Sequence, residues 1–491
     1  MSPPSLSLSE RLFMVPELKG LIDLALAKGA SYAEVRYQND VYDSNLLKNG
    51  VPQVSSFDTE RGVSMRAIVN GGLGFGASSV IGQRELKELV ERTVRSARAA
   101  SRLRNDKLVL GEADMAVGSS EIKARVRPEN IGLEDRLDFL KEVDQATMET
   151  ARGSGISLPG RYLSLDTYVT EKHIVNSDGA DFRSVVPRAE VHAVITARSD
   201  TGGSVQRIVS IGESAGWEAV ERWDLVHRMG EEVEVLGKIL RTGQKFNGER
   251  MDVVLGPEVI GIIAHESAGH PGEADRMLGR EAAQAGETYL GRQDIGRTVG
   301  SELVNVVDDP TLKGSFGFYL SDDEGVKASR RYLIKNGAVS DLLHNRETSA
   351  AMGVPSNGSS RAVSYRREPI VRMANTFVEP GDHSEEELFE GVKKGLYMRN
   401  FMEWNIDDRR YNQRYVGLEA YLIEDGVLGP MVRNPVLEIT TPALWGAVDA
   451  VGRKVEFFSA HCGKGDPMQA IPVWTGGPHL RLRNIRMGGS A

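Results

Sequence analysis

Leu18, Leu21, Ile22, Leu24 and Ala25 recur with the spacing of one helical face, which predicts a helix over 18–28. A strand-like run follows from Tyr32 to Tyr37. Val63, Met65, Ala67 and Val69 then alternate with polar positions, as do Leu73, Phe75 and Ala77, and Asn70-Gly71-Gly72 lies between the two runs. Alternation on both sides of an Asn-Gly pair predicts a β-hairpin whose turn needs positive φ. The run Gly72-x-Gly74-x-x-Ala77 loosely matches a dinucleotide-binding fingerprint. That reading is rejected, because no helix opens directly from the last small residue. The next helix is predicted later, over 84–101, with Leu86, Leu89, Val90 and Val94 on one side.

Residues 102–130 are polar and mixed, which marks a boundary. A helix over 133–151 leads into strands near 161–170, 173–176, 181–198 and 206–211. A second long helix is predicted over 217–240 from Val220, Leu225, Met229, Val233 and Leu236, and the polar stretch 241–250 reads as a linker. From Met251 onward the pattern is mostly β with a few helices. Tyr332–Val339 and Tyr421–Leu428 each carry an apolar strand into an Asn-Gly or Asp-Gly turn. Two independent hairpins with the same turn chemistry explain this more simply than a duplication. Three regions follow: 1–105, 125–240 and 245–491.

Composition narrows the function classes. The 491 residues are 40% hydrophobic and 26% charged, enough apolar surface for packed cores and against extended disorder. With 69 acidic and 60 basic residues the formal charge is -9. A dedicated nucleic-acid binder carries a basic excess or stripe, and this sequence has neither. No apolar run is long enough to predict a membrane span. Met1-Ser2-Pro3-Pro4 lacks the basic-then-apolar pattern of a signal peptide. The single cysteine, Cys462, excludes an internal disulfide and suits a reducing cytoplasm.

The sharpest chemical signal is His265-Glu266-Ser267-Ala268-Gly269-His270, which follows an apolar strand, Val253–Leu255, and Pro257 at the start of a helix. HExxxH is one residue longer than the zincin motif HExxH. In HExxH two histidines share one helical face and one metal, and the glutamate activates a bound water. On an ideal α-helix, residues i and i+5 stand about 140° apart. The histidines converge only if the helix widens or ends between them. Gly269 and Pro271, on either side of His270, disfavour a regular helix there. Chance supplies roughly 0.01 such matches in a chain of this size. Catalytic zinc usually takes three protein ligands. Cys462 is a candidate third ligand in Ser459-Ala460-His461-Cys462-Gly463-Lys464, although a lone cysteine is also commonly a small buried hydrophobe. His461 is its rival. On an extended strand adjacent side chains face opposite ways, so one of the two can reach the metal, and spacing alone leaves the choice open. Glu273 and Asp275 are candidates to orient a ligand histidine.

Two other constellations compete. Gly212-Glu213-Ser214-Ala215-Gly216 matches GxSxG between a strand and a helix, the context of a nucleophile elbow. Roughly 0.4 matches arise by chance, and no HGGG-like oxyanion segment accompanies it, so a plain strand-to-helix turn is preferred. Asp308-Asp309 and Asp322-Asp323-Glu324 have the chemistry to bind a hard cation, but solvated turns are the preferred reading.

Together these residues resemble the TldD/PmbA family of metalloproteases, in particular its TldD-type, metal-bearing subunit. The resemblance spans nearly the whole chain. It runs through Gly29–Arg36, His265-Glu266-x-x-Gly269-His270 with Glu273-Ala274-Asp275, Val307–Asp309, Asp322–Gly325, Leu333–Gly337, Arg372–Thr376, Glu419–Gly426 and Cys462–Gly465. It implies an α+β fold, an N-terminal α/β region followed by a C-terminal domain rich in antiparallel β-structure. It also implies His265, His270 and Cys462 as metal ligands, favouring Cys462 over His461, with Glu266 as catalytic base. It implies a dimer, of two copies or with a PmbA/TldE-type partner, that encloses the sites so that only unfolded or flexible peptides enter. The sequence departs from the family's common forms at Pro271-Gly272, and Trp404–Tyr415 is unusually charged.

The expectation is therefore a cytoplasmic, metal-dependent peptidase carrying one divalent metal, zinc first and iron or another metal second. No nucleic-acid or membrane partner is expected. The alternatives are a non-catalytic metal-bound interaction module or modulator, and a serine hydrolase at Ser214.

Overall fold

The computed structural model describes residues 17–103, 105–200, 203–281 and 286–489; Met1–Pro4 lies outside the described residues. The N-terminal half is built on one twisted sheet. Helix α1 (Lys19–Ala27) precedes β1 (Tyr32–Lys48), β2 (Val51–Val69) and β3 (Gly72–Ser78). Helix α2 (Gln83–Ala100), strand β4 (Val117–Glu121) and helix α3 (Leu133–Gly153) follow, then β5 (Ser157–Asn176), β6 (Asp181–Ser199) and β7 (Gly203–Glu213). The order is β3-β2-β1-β5-β6, with β7 antiparallel and β4 parallel to different parts of β6. β1 therefore pairs with β5 across the polar stretch at 102–130, and the first two sequence regions share a sheet.

The β2–β3 turn has the expected form, with Asn70 and Gly71 both at positive φ. The strands predicted near 161–170 and 173–176 are one strand of 20 residues. The long helix predicted over 217–240 is two, α4 (Trp217–Arg222) and α5 (Leu225–Thr242). Asp224 between them takes a left-handed conformation that an α-helix cannot continue. The predicted linker holds the end of α5 and a two-residue strand, Gln244–Lys245, paired with Val432-Arg433.

Two cores lie on this sheet. Leu86, Leu89, Val90 and Val94 of α2 pack with Val35, Val63 and Met65, while α3 and α5 bury Leu140, Val143, Val233 and Leu236 against Leu165 and Val191. The glycines of the loose dinucleotide match serve the first core. A Cβ at Gly74 would stand 2.3 Å from the Thr93 carbonyl oxygen and 2.7 Å from the Ala97 nitrogen, both backbone atoms of α2.

The C-terminal half has a ten-stranded and a six-stranded sheet, rich in antiparallel pairs. Strand β8 (Arg250–Leu255) lies between Lys394–Met398 and Leu480–Gly489 in the larger sheet and leads into helix α6 (Pro257–Ala264). The hairpin Glu456–Lys464 with Gln469–Gly477 forms one edge of the smaller sheet. The two similar hairpins at 331–339 and 420–433 fall in different sheets. Among the described residues, no helix is long and apolar enough to cross a membrane.

The Gly74 contact yields a prediction. Gly74→Ala should lower unfolding stability by about 1–3 kcal/mol, because α2 must lift from β3. Urea denaturation measures it, and a midpoint equal to that of the parent would show that the close approach is not a constraint.

Candidate metal centre

Gly256 and Pro257 start α6, and proline at the first helical position lacks an N–H that would have had no partner there. Val259, Ile260, Ile263 and Ala264 are all buried, as expected of a helix covered on every side. The helix crosses the strand Gln469–Gly477 at glycines. A Cβ at Gly261 would stand 2.8 Å from the Gly476 nitrogen, and one at Gly477 would stand 2.6 Å from Ile260 Cγ2. This contact sets α6 against the hairpin that carries Cys462.

At His265 the helix widens. Residues His265–Gly269 form a π-helical turn, and His270–Gly272 then tighten into a 3₁₀ turn. A π turn hydrogen-bonds i to i+5, so the histidines five apart come one above the other. Gly269 leaves room for Met373, since a Cβ there would lie 2.0 Å from Met373 Sδ and displace that buried side chain. The ring centroids of His265 and His270 are 4.9 Å apart at an interplanar angle of 82°. Cys462 Sγ lies 3.6 Å from His270 Nε2. One donor atom from each of His265, His270 and Cys462 falls within 4.8 Å of the others, and all three residues are buried.

His461 points the other way, with Nε2 2.7 Å from Glu190 Oε2. Strand alternation thus separates the two rivals and brings the thiol to the histidines. Glu266 lines the same cavity of about 790 Å³ as His265, His270 and Cys462, beside β7 and the Glu456–Lys464 strand.

The surrounding charges set the protonation of the donors. Burial pushes both imidazoles down, toward the neutral form, while Cys462 and Glu273 pull His270 back up. Burial alone pushes the Cys462 thiol up, but His270 and Arg372 outweigh it and bring the thiol to about 7. Neutral imidazole and thiolate are the forms that bind metals. His270 Nδ1 lies 2.8 Å from Glu273 Oε2 and 3.2 Å from Arg276 Nη2. The shorter contact decides the tautomer. A carboxylate only accepts, so Nδ1 carries the proton and Nε2 presents its lone pair toward Cys462.

Asp275 does not reach a histidine. Lys464, fully buried, donates to both Asp275 oxygens at 2.8 Å and lies 3.3 Å from Glu273 Oε1. Burial pushes Glu273 up, but Lys464, Arg276 and His270 together hold it well below the carboxylate range. Arg372 donates to the carbonyls of Cys462 and Gln469, fixing the hairpin from beneath. Arg410 Nη1 donates to Glu266 Oε2 at 2.5 Å. Sequence reasoning assigned none of Arg276, Arg372, Arg410 and Lys464 to the site. Lys464 and Arg372 lay inside quoted motifs, and an alternating strand puts Lys464 on the same side as Cys462, a usable signal.

The competing constellations come apart. Ser214 sits between β7 and α4 as expected, but its Oγ is buried without a hydrogen-bond partner, so no histidine serves it as base. The acidic pairs are not solvated turns. Asp308, Asp309, Asp322, Asp323 and Glu324 are all buried. Asp308 pairs with Arg331 at 2.6 Å, Asp323 with Lys172 at 2.8 Å, and Glu324 with Arg66 at 2.6 Å. Asp322 accepts from the backbone nitrogens of Glu324, Val326 and Ser360. These carboxylates tie loops of the C-terminal half to each other and to the N-terminal sheet.

Three family models match the chain in order: PmbA/TldA metallopeptidase domain 1 over residues 33–97, the central domain over 126–236 and the C-terminal domain over 248–489. The chain belongs to the PmbA/TldD family of metallopeptidases. It is 28% identical over 474 residues to a protein named metalloprotease from Methanothermobacter thermautotrophicus, covering 96% of this chain and 98% of that one. It is 26% identical over 470 residues to a zinc metalloprotease TldD homolog from Saccharolobus solfataricus, covering 94% and 97%. Among solved structures, TldE from Thermococcus kodakarensis shares the fold with a TM-score of 0.72 at 16% identity, covering 96% of this chain and 100% of that one.

The buried lysine is the most exposed to test. Lys464→Met leaves Asp275 without its cation and Glu273 with Arg276 alone, and should destabilise the metal-free protein by about 3–5 kcal/mol at neutral pH. Glu273 is held below its ordinary value in the folded protein, so its contribution exists above the unfolded carboxylate pKa and is lost as pH falls. The deficit of the variant should therefore be largest at pH 7–8 and shrink toward about pH 4, where the stranded carboxylates protonate. Thermal unfolding across that range measures it; a pH-independent deficit would show that packing, not charge, is lost.

Proposed function

We propose that the chain is a metal-dependent peptidase whose metal, zinc first, is held by His265, His270 and Cys462, with Glu266 as general base. One observation carries the reading: two distant segments deliver three buried donors to one point, at the wall of a cavity that also holds Glu266. The donor set fits the metal. With bonds of about 2.0–2.1 Å to nitrogen and 2.3 Å to sulfur, tetrahedral ligands stand about 3.3–3.8 Å apart, and the Cys462–His270 separation of 3.6 Å lies in that range. His265 Nδ1 is a buried polar atom with no hydrogen-bond partner in the protein. Among the described residues the cluster has three donors, which leaves a tetrahedral site one open position. That supports an enzyme over the closed, four-ligand site of an interaction module.

A bound zinc supplies Lewis-acid polarisation of the scissile carbonyl and a water of lowered pKa. The protein does the rest. Glu273 fixes the His270 ring and its tautomer. Glu266 takes a proton from the attacking water and later gives it to the leaving amine. The walls of the cavity, β7 on one side and Glu456–Lys464 on the other, bring strand edges near the site and suit an extended peptide. The family relationship supports unfolded or flexible peptides as substrates, enclosure within a dimer, and either a second copy or a PmbA/TldE-type chain as partner. A thiolate ligand in a chain with one cysteine supports the reducing cytoplasm as its compartment.

Glu266→Gln should cut cleavage of an unstructured fluorogenic peptide by about 10²–10⁴-fold while metal content stays near that of the parent. Undiminished cleavage removes Glu266 as base. A metal-loaded parent that binds partners but cleaves no peptide favours the modulator reading.

A further inference from the structure

Arg410 stands out on backbone grounds. Among the described residues eight non-glycine residues have positive φ, seven of them Asn or Asp, which tolerate that region; the eighth is Arg410, at φ 62°. Strain of this kind persists only where surrounding structure enforces it, and it collects at functional sites. Here the enforcement is explicit. Asp407 accepts from the backbone nitrogens of Tyr411 at 2.7 Å and Asn412 at 3.1 Å, and its carbonyl accepts from Arg410 N at 2.9 Å. Thr441 Oγ1 donates to the Arg410 carbonyl at 2.9 Å, Gln413 donates to Thr441, and Tyr415 donates to Gln413, each of the last two at 2.6 Å. This network holds the tip of the hairpin Phe401–Ile406 with Asn412–Gly417 and turns Arg410, one of two adjacent arginines there, inward. The side chain is 11% exposed, lines the cavity of the candidate metal centre, and meets Glu266.

A fixed cation paired with the proposed base needs a reason. Charge movement during hydrolysis supplies one. When water attacks, its oxygen bonds to the carbonyl carbon, one proton passes to Glu266, and the carbonyl π pair moves onto the carbonyl oxygen. The negative charge leaves the carboxylate and appears on the oxyanion a short distance away. When the tetrahedral species collapses, that electron pair re-forms the C=O bond, the C–N bond breaks, and Glu266 returns its proton to the amine nitrogen. Throughout both steps one negative charge stays beside the guanidinium. We propose that Arg410 is the oxyanion-stabilising residue, a cation preset on Glu266 that donates to the carbonyl oxygen as charge transfers there. Such donors contribute most when the protein has already oriented them, which is what the strained turn and the Tyr415–Gln413–Thr441 chain achieve. The proposal rests on the peptidase reading above.

Arg410→Asn tests it, because asparagine suits the left-handed turn and keeps the loop while removing the cation. On the metal-loaded protein with an unstructured fluorogenic peptide, kcat should fall about 10²–10³-fold with KM changed less than about threefold and metal content unchanged. Free guanidinium ion should restore part of the Arg410→Asn rate and leave the parent unaffected, and Arg410→Lys should retain part of it. Independently of turnover, a phosphinic pseudopeptide, a tetrahedral anion, should bind Arg410→Asn about 10²–10³-fold more weakly by calorimetry. An unchanged kcat, a loss confined to KM, or a faster variant (the mark of a plug on Glu266) would each overturn the proposal. A parent that neither cleaves the peptide nor binds the pseudopeptide would overturn the peptidase reading, and this inference with it. An active parent with an equally active Arg410→Asn rejects Arg410 alone.

Discussion

His270 lies five positions after His265, and an α-helix turns too far in five residues for both rings to face one point. Everything else at the centre accommodates that constraint. The chain meets it with a π-helical turn over His265–Gly269 and a tight turn at Pro271, at the end of a helix that is itself pinned. Pinning comes from the absence of side chains at Gly261 and Gly477, which lets α6 lie almost backbone-to-backbone on the hairpin strand Gln469–Gly477. Register within the hairpin then sets Cys462 against Ile471 and presents its thiol to His270. A shift of one residue in either strand would present His461 and turn the thiol away.

A second requirement is electrostatic. To hold the proposed metal these side chains must be neutral imidazoles and a thiolate, and a thiolate is costly inside a protein. Burial favours the first condition, against the pull of Cys462 and Glu273 on His270. The second needs cations, and the chain places Arg372 under the Cys462 backbone and Lys464 two residues beyond the thiol, the latter neutralising Asp275 and Glu273. Glu273 closes the circuit by orienting His270. One buried network thus serves both the fold of the C-terminal half and the state of the donors. Elsewhere the buried acidic loops at 308–309 and 322–324 pair with Arg331, Lys172 and Arg66, and the last two pairs join the two halves of the chain.

Much of this was legible in the sequence. Periodicity marked α1, α2 and α3, the Asn-Gly and Asp-Gly pairs marked three hairpin turns, and Gly269 with Pro271 signalled the break that HExxxH spacing demands. Periodicity could not show that 217–240 is two helices, because Asp224 interrupts the backbone without interrupting the apolar pattern. Nor could it show that two sequence regions share a sheet, since the β1–β5 pairing is long-range. The acidic pairs read as solvated turns because their charge partners leave no local pattern: Arg66 and Lys172 lie more than a hundred residues from 322–324, and Arg331 lies on another strand from Asp308. Alternation left Cys462 or His461 as the candidate third donor but gave no absolute facing; the resemblance to a family favours Cys462, and the strand register sets its thiol beside His270 and His461 beside Glu190. Arg410 left no motif at all, only an unusually charged stretch, because its placement depends on a strained turn that sequence does not announce.

The most direct test of the account is metal content and coordination of the purified protein, with Cys462→Ala beside it, by elemental analysis and X-ray absorption after zinc is supplied without chelator. The account predicts about one zinc per parent chain, bound to two imidazoles, one sulfur and one further light atom, and little metal in the variant. Equal metal in both, or a parent without zinc–sulfur scattering, would contradict it.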